Sequence, residues 1–135
     1  MNRPPTFNHE MLLANAGSGK TFALITRIIR LLLAGVSMDR IAALTFTRKS
    51  AGEFLDELLV RLAEAAIDRK KLAALAKASD SPELSSADCC ELLRHIIGHF
   101  GRLGLSTIDS FFARIARQFP LESGLPEEFA IADRA

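Results

Sequence analysis

The chain has 135 residues, enough for one domain that buries roughly two-thirds of the surface its unfolded form exposes. Hydrophobic residues make up 49% and charged ones 24%, an ordinary soluble composition, and the formal net charge is +1. A balance so near zero excludes a global basic field, so any contact with nucleic acid has to come from local placement of charge.

The opening M-N-R-P-P-T-F-N-H-E holds no apolar core of a signal peptide, and Pro4-Pro5 argues for an extended lead. The longest apolar run, Ile28 to Val36, is interrupted by Arg30 and is too short to cross a bilayer, so the expectation is a cytoplasmic chain without a membrane partner. His9 to Ala14 reads as a first, buried, parallel strand. It runs into Ala14-Asn15-Ala16-Gly17-Ser18-Gly19-Lys20-Thr21, and Lys20 to Ala34 then reads as a helix with Gly35 as its C-cap.

Strand, glycine-bearing loop, Lys-Thr and helix is the order that builds a phosphate-binding P-loop. Gly17 and Gly19 carry no Cβ, so the backbone can turn its N–H groups inward, and the positive end of the helix faces the anion. Lys20 supplies a point charge for the β- and γ-phosphates, and the Thr21 hydroxyl is placed to ligate Mg²⁺. Ala14 stands where the strictest pattern has glycine, a position that needs only a small side chain.

Val36 to Arg40 is a return loop, and Ile41 to Phe46 is the second strand, closing a right-handed βαβ unit. A long helix is expected from about Ser50 to Lys77, with Phe54, Leu55, Leu58, Leu59, Leu62 and Ala66 at helical spacing. Ser79 to Glu83 is a linker, a further helix runs from about Ser86 to Phe100, and Gly101 ends it. Its Cys89 and Cys90 point about 100° apart and read as ordinary small helix residues. His95 and His99 share a face at i, i+4, where a surface pair is the simpler reading than a metal site. Gly104 to Asp109 fits a third strand, Asp109 or Ser110 would cap the helix Phe111 to Phe119, and Pro120 stops it. From Leu121 on, the chain reads as loop, with 128–132 extended.

A P-loop leaves many NTPase classes open, and the next strand discriminates. Ile41 to Phe54 reads I-A-A-L-T-F-T-R-K-S-A-G-E-F, and Ser106 to Ile115 reads S-T-I-D-S-F-F-A-R-I. Together with A-N-A-G-S-G-K-T, these resemble motifs Ia, Ib and I of the UvrD/Rep-type superfamily 1 DNA helicases, including the RecB- and AddA-like members. The resemblance spans most of the chain and is weakest across about 65–103. It implies an α/β fold of the P-loop NTPase (RecA-like) kind, a partial parallel sheet with flanking helices. Residues 1–60 and 104–135 would be parts of the ATP-binding domain 1A, and 61–103 a helical insertion like subdomain 1B or an ordinary crossover of two helices.

It also implies ATP with Mg²⁺ as cofactors, hydrolase activity in DNA repair, and contact with single-stranded DNA through Thr45, Phe46, Thr47, Arg48, Thr107 and Ser110. Lys20 and Thr21 would be the catalytic members of the loop. Taken alone, Thr45 and Thr47 could simply finish a strand, with Phe46 in the core. Ligands of open α/β sheets collect at the carboxyl ends of strands, so the loop at 17–21 and the ledge at 45–48 are expected on one sheet rim.

The family's Walker B Asp-Glu has no good counterpart; the nearest candidate, Leu105 to Asp109, is followed by Ser110. The reading is therefore of an N-terminal piece of a helicase, with weak nucleotide binding, background hydrolysis and no unwinding alone. A small P-loop binding module without turnover is the alternative. A truncated sheet leaves an unpaired edge and uncovered apolar surface, from which self-association through that edge is expected.

Overall fold

The computed structural model describes residues 8–11, 19–124 and 126, with Phe100 as backbone only. Helix α1 spans Lys20–Leu33 and buries Ile25, Ile28, Ile29 and Leu32, the i, i+3, i+4, i+7 stripe of one face. It ends as the glycine predicted. Gly35 takes a left-handed φ of 78°, its N–H donates to Leu32 O at 3.0 Å, and the Val36 N–H donates to Leu31 O at 3.0 Å. A 3₁₀ turn, Met38–Arg40, leads to strand β1, Ala42–Thr45.

Helix α2 covers Arg48–Ile67 and α3 covers Arg69–Ala78, so the single helix expected over 50–77 is two. Asp68 makes the break. Its carboxylate accepts from the N–H groups of Lys70 (2.7 Å) and Lys71 (3.2 Å), capping a new helix instead of continuing the old one. Apolar spacing carries on across the junction, which is why periodicity alone missed it. Helix α4, Ser86–Gly98, opens on a full capping box in which Ser85 and Asp88 exchange hydrogen bonds. The Ser85 hydroxyl, with the Ser85 N–H, holds the Asp88 carboxyl below the usual carboxylate range. The helix stops before Phe100, and a 3₁₀ turn, Phe100–Arg102, takes its place.

Strand β2, Gly104–Thr107, pairs in parallel with β1, from Ala42 opposite Gly104 to Thr45 opposite Thr107. Among the described residues the sheet has these two strands. The expected first strand is not seen where it can be: residues 9–11 are irregular, while 12–14 lie outside the described residues. Arg27 holds this lead along α1, donating to Glu10 Oε2 at 2.8 Å and to the Asn8 carbonyl at 2.6 Å, so no βαβ pairing with β1 forms there. Helix α5 runs over Ile108–Gln118, and Pro120–Ser123, expected as loop, forms a short helix α6 with proline in its first turn. The stretch 128–132 lies outside the described residues.

The core gathers Ile25 and Ile29 of α1, Leu58 and Leu62 of α2, and Cys89 and Ile96 of α4, all with 0% exposure. Burial pushes the Cys89 thiol up, as suits a packing residue. Opposite the core, Leu44, Phe112, Ile115 and Phe119 remain exposed.

One close approach fixes how the sheet begins. A Cβ on Gly104 would stand 2.9 Å from the Ile41 carbonyl oxygen, a backbone atom that cannot swing aside. Gly104→Ala is expected to open the first rung of the ladder and to cost about 1–3 kcal/mol. The urea midpoint should fall accordingly; an unchanged midpoint would show that the strands can spread freely.

Candidate functional site

The carboxyl ends of β1 and β2 meet two helix starts built in the same way. Thr47 precedes α2, and its Oγ1 accepts from the Ser50 N–H at 3.0 Å while sharing a 2.7 Å hydrogen bond with the Ser50 hydroxyl. Thr107 precedes α5, and its Oγ1 accepts from the Ser110 N–H at 3.2 Å and donates to the Ser110 hydroxyl at 2.8 Å. Thr107 is thus the cap of α5, not Asp109 or Ser110. It is the last extended residue, with φ −74° and ψ 154°, as a capping position requires. Asp109 lies exposed in the first turn, where its charge faces the helix's positive end.

Thr45 and Thr107 are register partners, so these hydroxyls and N–H groups line one rim. The Thr45 hydroxyl donates to the Thr47 carbonyl at 2.9 Å and stiffens the turn between strand and helix. Phe46 is 87% exposed, which removes the reading of it as core, and Arg48 is exposed beside it. The arrangement presents hydroxyl and amide groups above two helix N-termini, with an aromatic face and a cation at the edge. Such a rim can hold phosphates and stack a base. Ser50 was read in the sequence as the start of a helix and not as a site residue; the signal was there, as Thr-x-x-Ser stands at both helix starts.

The phosphate-loop residues divide. Ala14, Asn15, Ala16, Gly17 and Ser18 lie outside the described residues. Gly19 takes φ 81°, a left-handed conformation that favours glycine, and ends the loop as the N-cap of α1. Lys20 and Thr21 are the first, exposed residues of that helix. Their fit to a nucleotide's phosphates rests on this: a helix N-terminus preceded by a left-handed glycine, a cation and a hydroxyl.

Phe22 lies against Arg61, whose Cζ is 4.2 Å from the ring centroid. Arg61 stands thirteen residues beyond Arg48 in α2, a rise of about 20 Å along the helix axis. The expectation of one shared rim for 17–21 and 45–48 falls in part on residues 17 and 18, which lie outside the described residues. The described lead, residues 8–11, is irregular and lies against α1 through Arg27.

Among the described residues no cluster of three or more His, Cys, Asp or Glu could hold a metal, and no helix is long and apolar enough to cross a membrane. His95 and His99 stack at 4.8 Å between centroids, with a 3.1 Å hydrogen bond from the His99 ring to the His95 carbonyl oxygen.

Compared with known proteins, residues 4–135 match the model of the UvrD/REP helicase N-terminal domain. An ATP-dependent helicase/nuclease subunit from Streptococcus sanguinis is 31% identical over 93% of this chain and 9% of its own length. The Streptococcus agalactiae protein of the same name is 32% identical over 93% of the chain and 9% of the relative. That of Lactiplantibacillus plantarum is 33% identical over 83% and 8%. The chain therefore spans less than a tenth of the length of these curated relatives. No solved structure matches it.

Proposed function

Since the chain belongs to the UvrD/REP helicase N-terminal domain family, we propose that it is the ATP-binding, single-stranded-DNA-contacting portion of an ATP-dependent DNA helicase. The observation that carries the reading is the doubled Thr-x-x-Ser rim, where two parallel strands deliver two hydroxyl-capped helix starts to one edge. Thr45, Thr47 and Ser110 hold strand phosphates there, Thr107 sets the register of the rim, Phe46 stacks a base and Arg48 adds a local charge. Lys20 and Thr21 hold ATP, with Thr21 as the Mg²⁺ ligand; the metal supplies charge neutralisation at the phosphates. Residues 61–103 form the insertion between the two DNA-contacting segments. Coupling of ATP hydrolysis to movement along DNA belongs to the full-length parent.

The test is anisotropy of a labelled oligo-dT titrated with the chain. Phe46→Ala is expected to weaken binding about tenfold, since stacking is worth about 1–3 kcal/mol per base. Arg48→Ala is expected to flatten the salt dependence by about 0.7 in log–log slope. Unchanged binding in both variants would remove the rim from DNA recognition.

A further inference from the structure

Away from the rim, helix α3 turns a cationic face to solvent. Successive helical residues lie about 100° apart, so Arg69, Ala73, Lys77 and Lys70 share an arc of about 100°, with Ala74 at its border. All five are exposed, while Leu75 on the other side of the helix is buried. We propose that this face is a second nucleic-acid contact, one that seats the phosphate backbone of double-stranded DNA; the choice of DNA as the polyanion rests on the reading above.

The carboxylates that flank α3 are engaged elsewhere. Asp68 accepts from the Lys70 and Lys71 N–H groups, Glu64 pairs with Lys71, and Asp80 pairs with Arg30. Among the described residues no ion pair takes up Arg69, Lys70 or Lys77. Helix α3 has no Asp or Glu of its own, so three unneutralised cations stand together in a chain whose net charge is only +1. That is the local placement of charge which a near-neutral chain needs in order to hold a polyanion.

The spacing favours a duplex. From Arg69 to Lys77 the helix rises about 12 Å. The major groove of B-DNA is about 12 Å wide, so the two ends of the face meet phosphates on both of its lips. A duplex also carries one charge per about 1.7 Å of axis, twice the density of one strand, and a rigid row of cations gains more from it. Ala73 and Ala74 let the DNA come close and offer no donor or acceptor to a base edge, so the contact is indifferent to sequence. None of the motif residues lies on α3, so rim and face bind separately.

Anisotropy of labelled duplexes over a salt series, beside the oligo-dT used for the rim, tests this. The triple variant Arg69→Ala, Lys70→Ala, Lys77→Ala is expected to flatten the log–log salt slope for duplex by about 2.7 and to leave oligo-dT affinity unaltered. Ala73→Glu sets a carboxylate four residues from both Arg69 and Lys77, which supports the helix but neutralises the face. It should weaken duplex binding about tenfold. An unchanged duplex slope in the triple variant overturns the proposal. Should phosphatidylserine vesicles lose their binding in that same variant, the face belongs to an anionic membrane instead. If Phe46→Ala and Arg48→Ala leave oligo-dT binding untouched while the triple variant loses duplex, the rim falls and this face stands. A parent chain that binds neither duplex nor oligo-dT overturns both.

Discussion

Replacing Leu58 with alanine is expected to lower the free energy of unfolding by about 3–4 kcal/mol. Leu58 has 0% exposure and sits in the middle of α2, the helix against which α1, α3 and α4 all pack. Alanine there removes three methyl or methylene-sized groups and leaves a void that three helices have to share. The neighbouring surface residue Val60, 50% exposed on the same helix, provides the contrast: Val60→Ala should stay within about 0.5 kcal/mol. Domains of this size are stable by only about 5–15 kcal/mol, so the Leu58 variant should show a large fall in urea midpoint and the Val60 variant almost none. Equal effects at the two positions would mean that α2 is not the packing centre.

Lys20→Ala is expected to weaken nucleoside triphosphate binding by about 2–3 kcal/mol, on the order of 30- to 150-fold. The loss comes from a charge-assisted contact at a helix start, so it should appear equally with ATP and with tripolyphosphate. Lys49→Ala is the control; that ammonium lies exposed 3.7 Å from Glu53 on α2 and should leave binding unaltered. Hydrolysis is expected near background in all three proteins, because the sequence offers no good counterpart of the family's Walker B Asp-Glu. Phosphate release that depends on Lys20 would reveal an activating group that the residues do not suggest.

Much of this molecule is legible in its residues, and the exceptions have physical causes. Helix α1, its glycine ending and both described strands follow from periodicity and from β-branched or glycine signals. Asp68 was passed over because the hydrophobic stripe continues through it, whereas the capping bond that restarts the helix is local and polar. The rim was anticipated through Thr45 to Arg48 and Ser110. Its symmetry, with Ser50 matching Ser110, needed the capping bonds that Thr47 and Thr107 make to them. The reach of Arg27 back nineteen residues to the Asn8 carbonyl is a long-range contact that leaves no mark on local pattern.

Thr47 and Thr107 each have one hydroxyl oxygen, and it already accepts from an amide in the first turn of a helix. The phosphates of an oligonucleotide settling on the rim are acceptors and have to compete for those same amide and hydroxyl protons. Occupancy and helix order at α2 and α5 therefore form a single equilibrium, in which the strand either completes the cap or frays it.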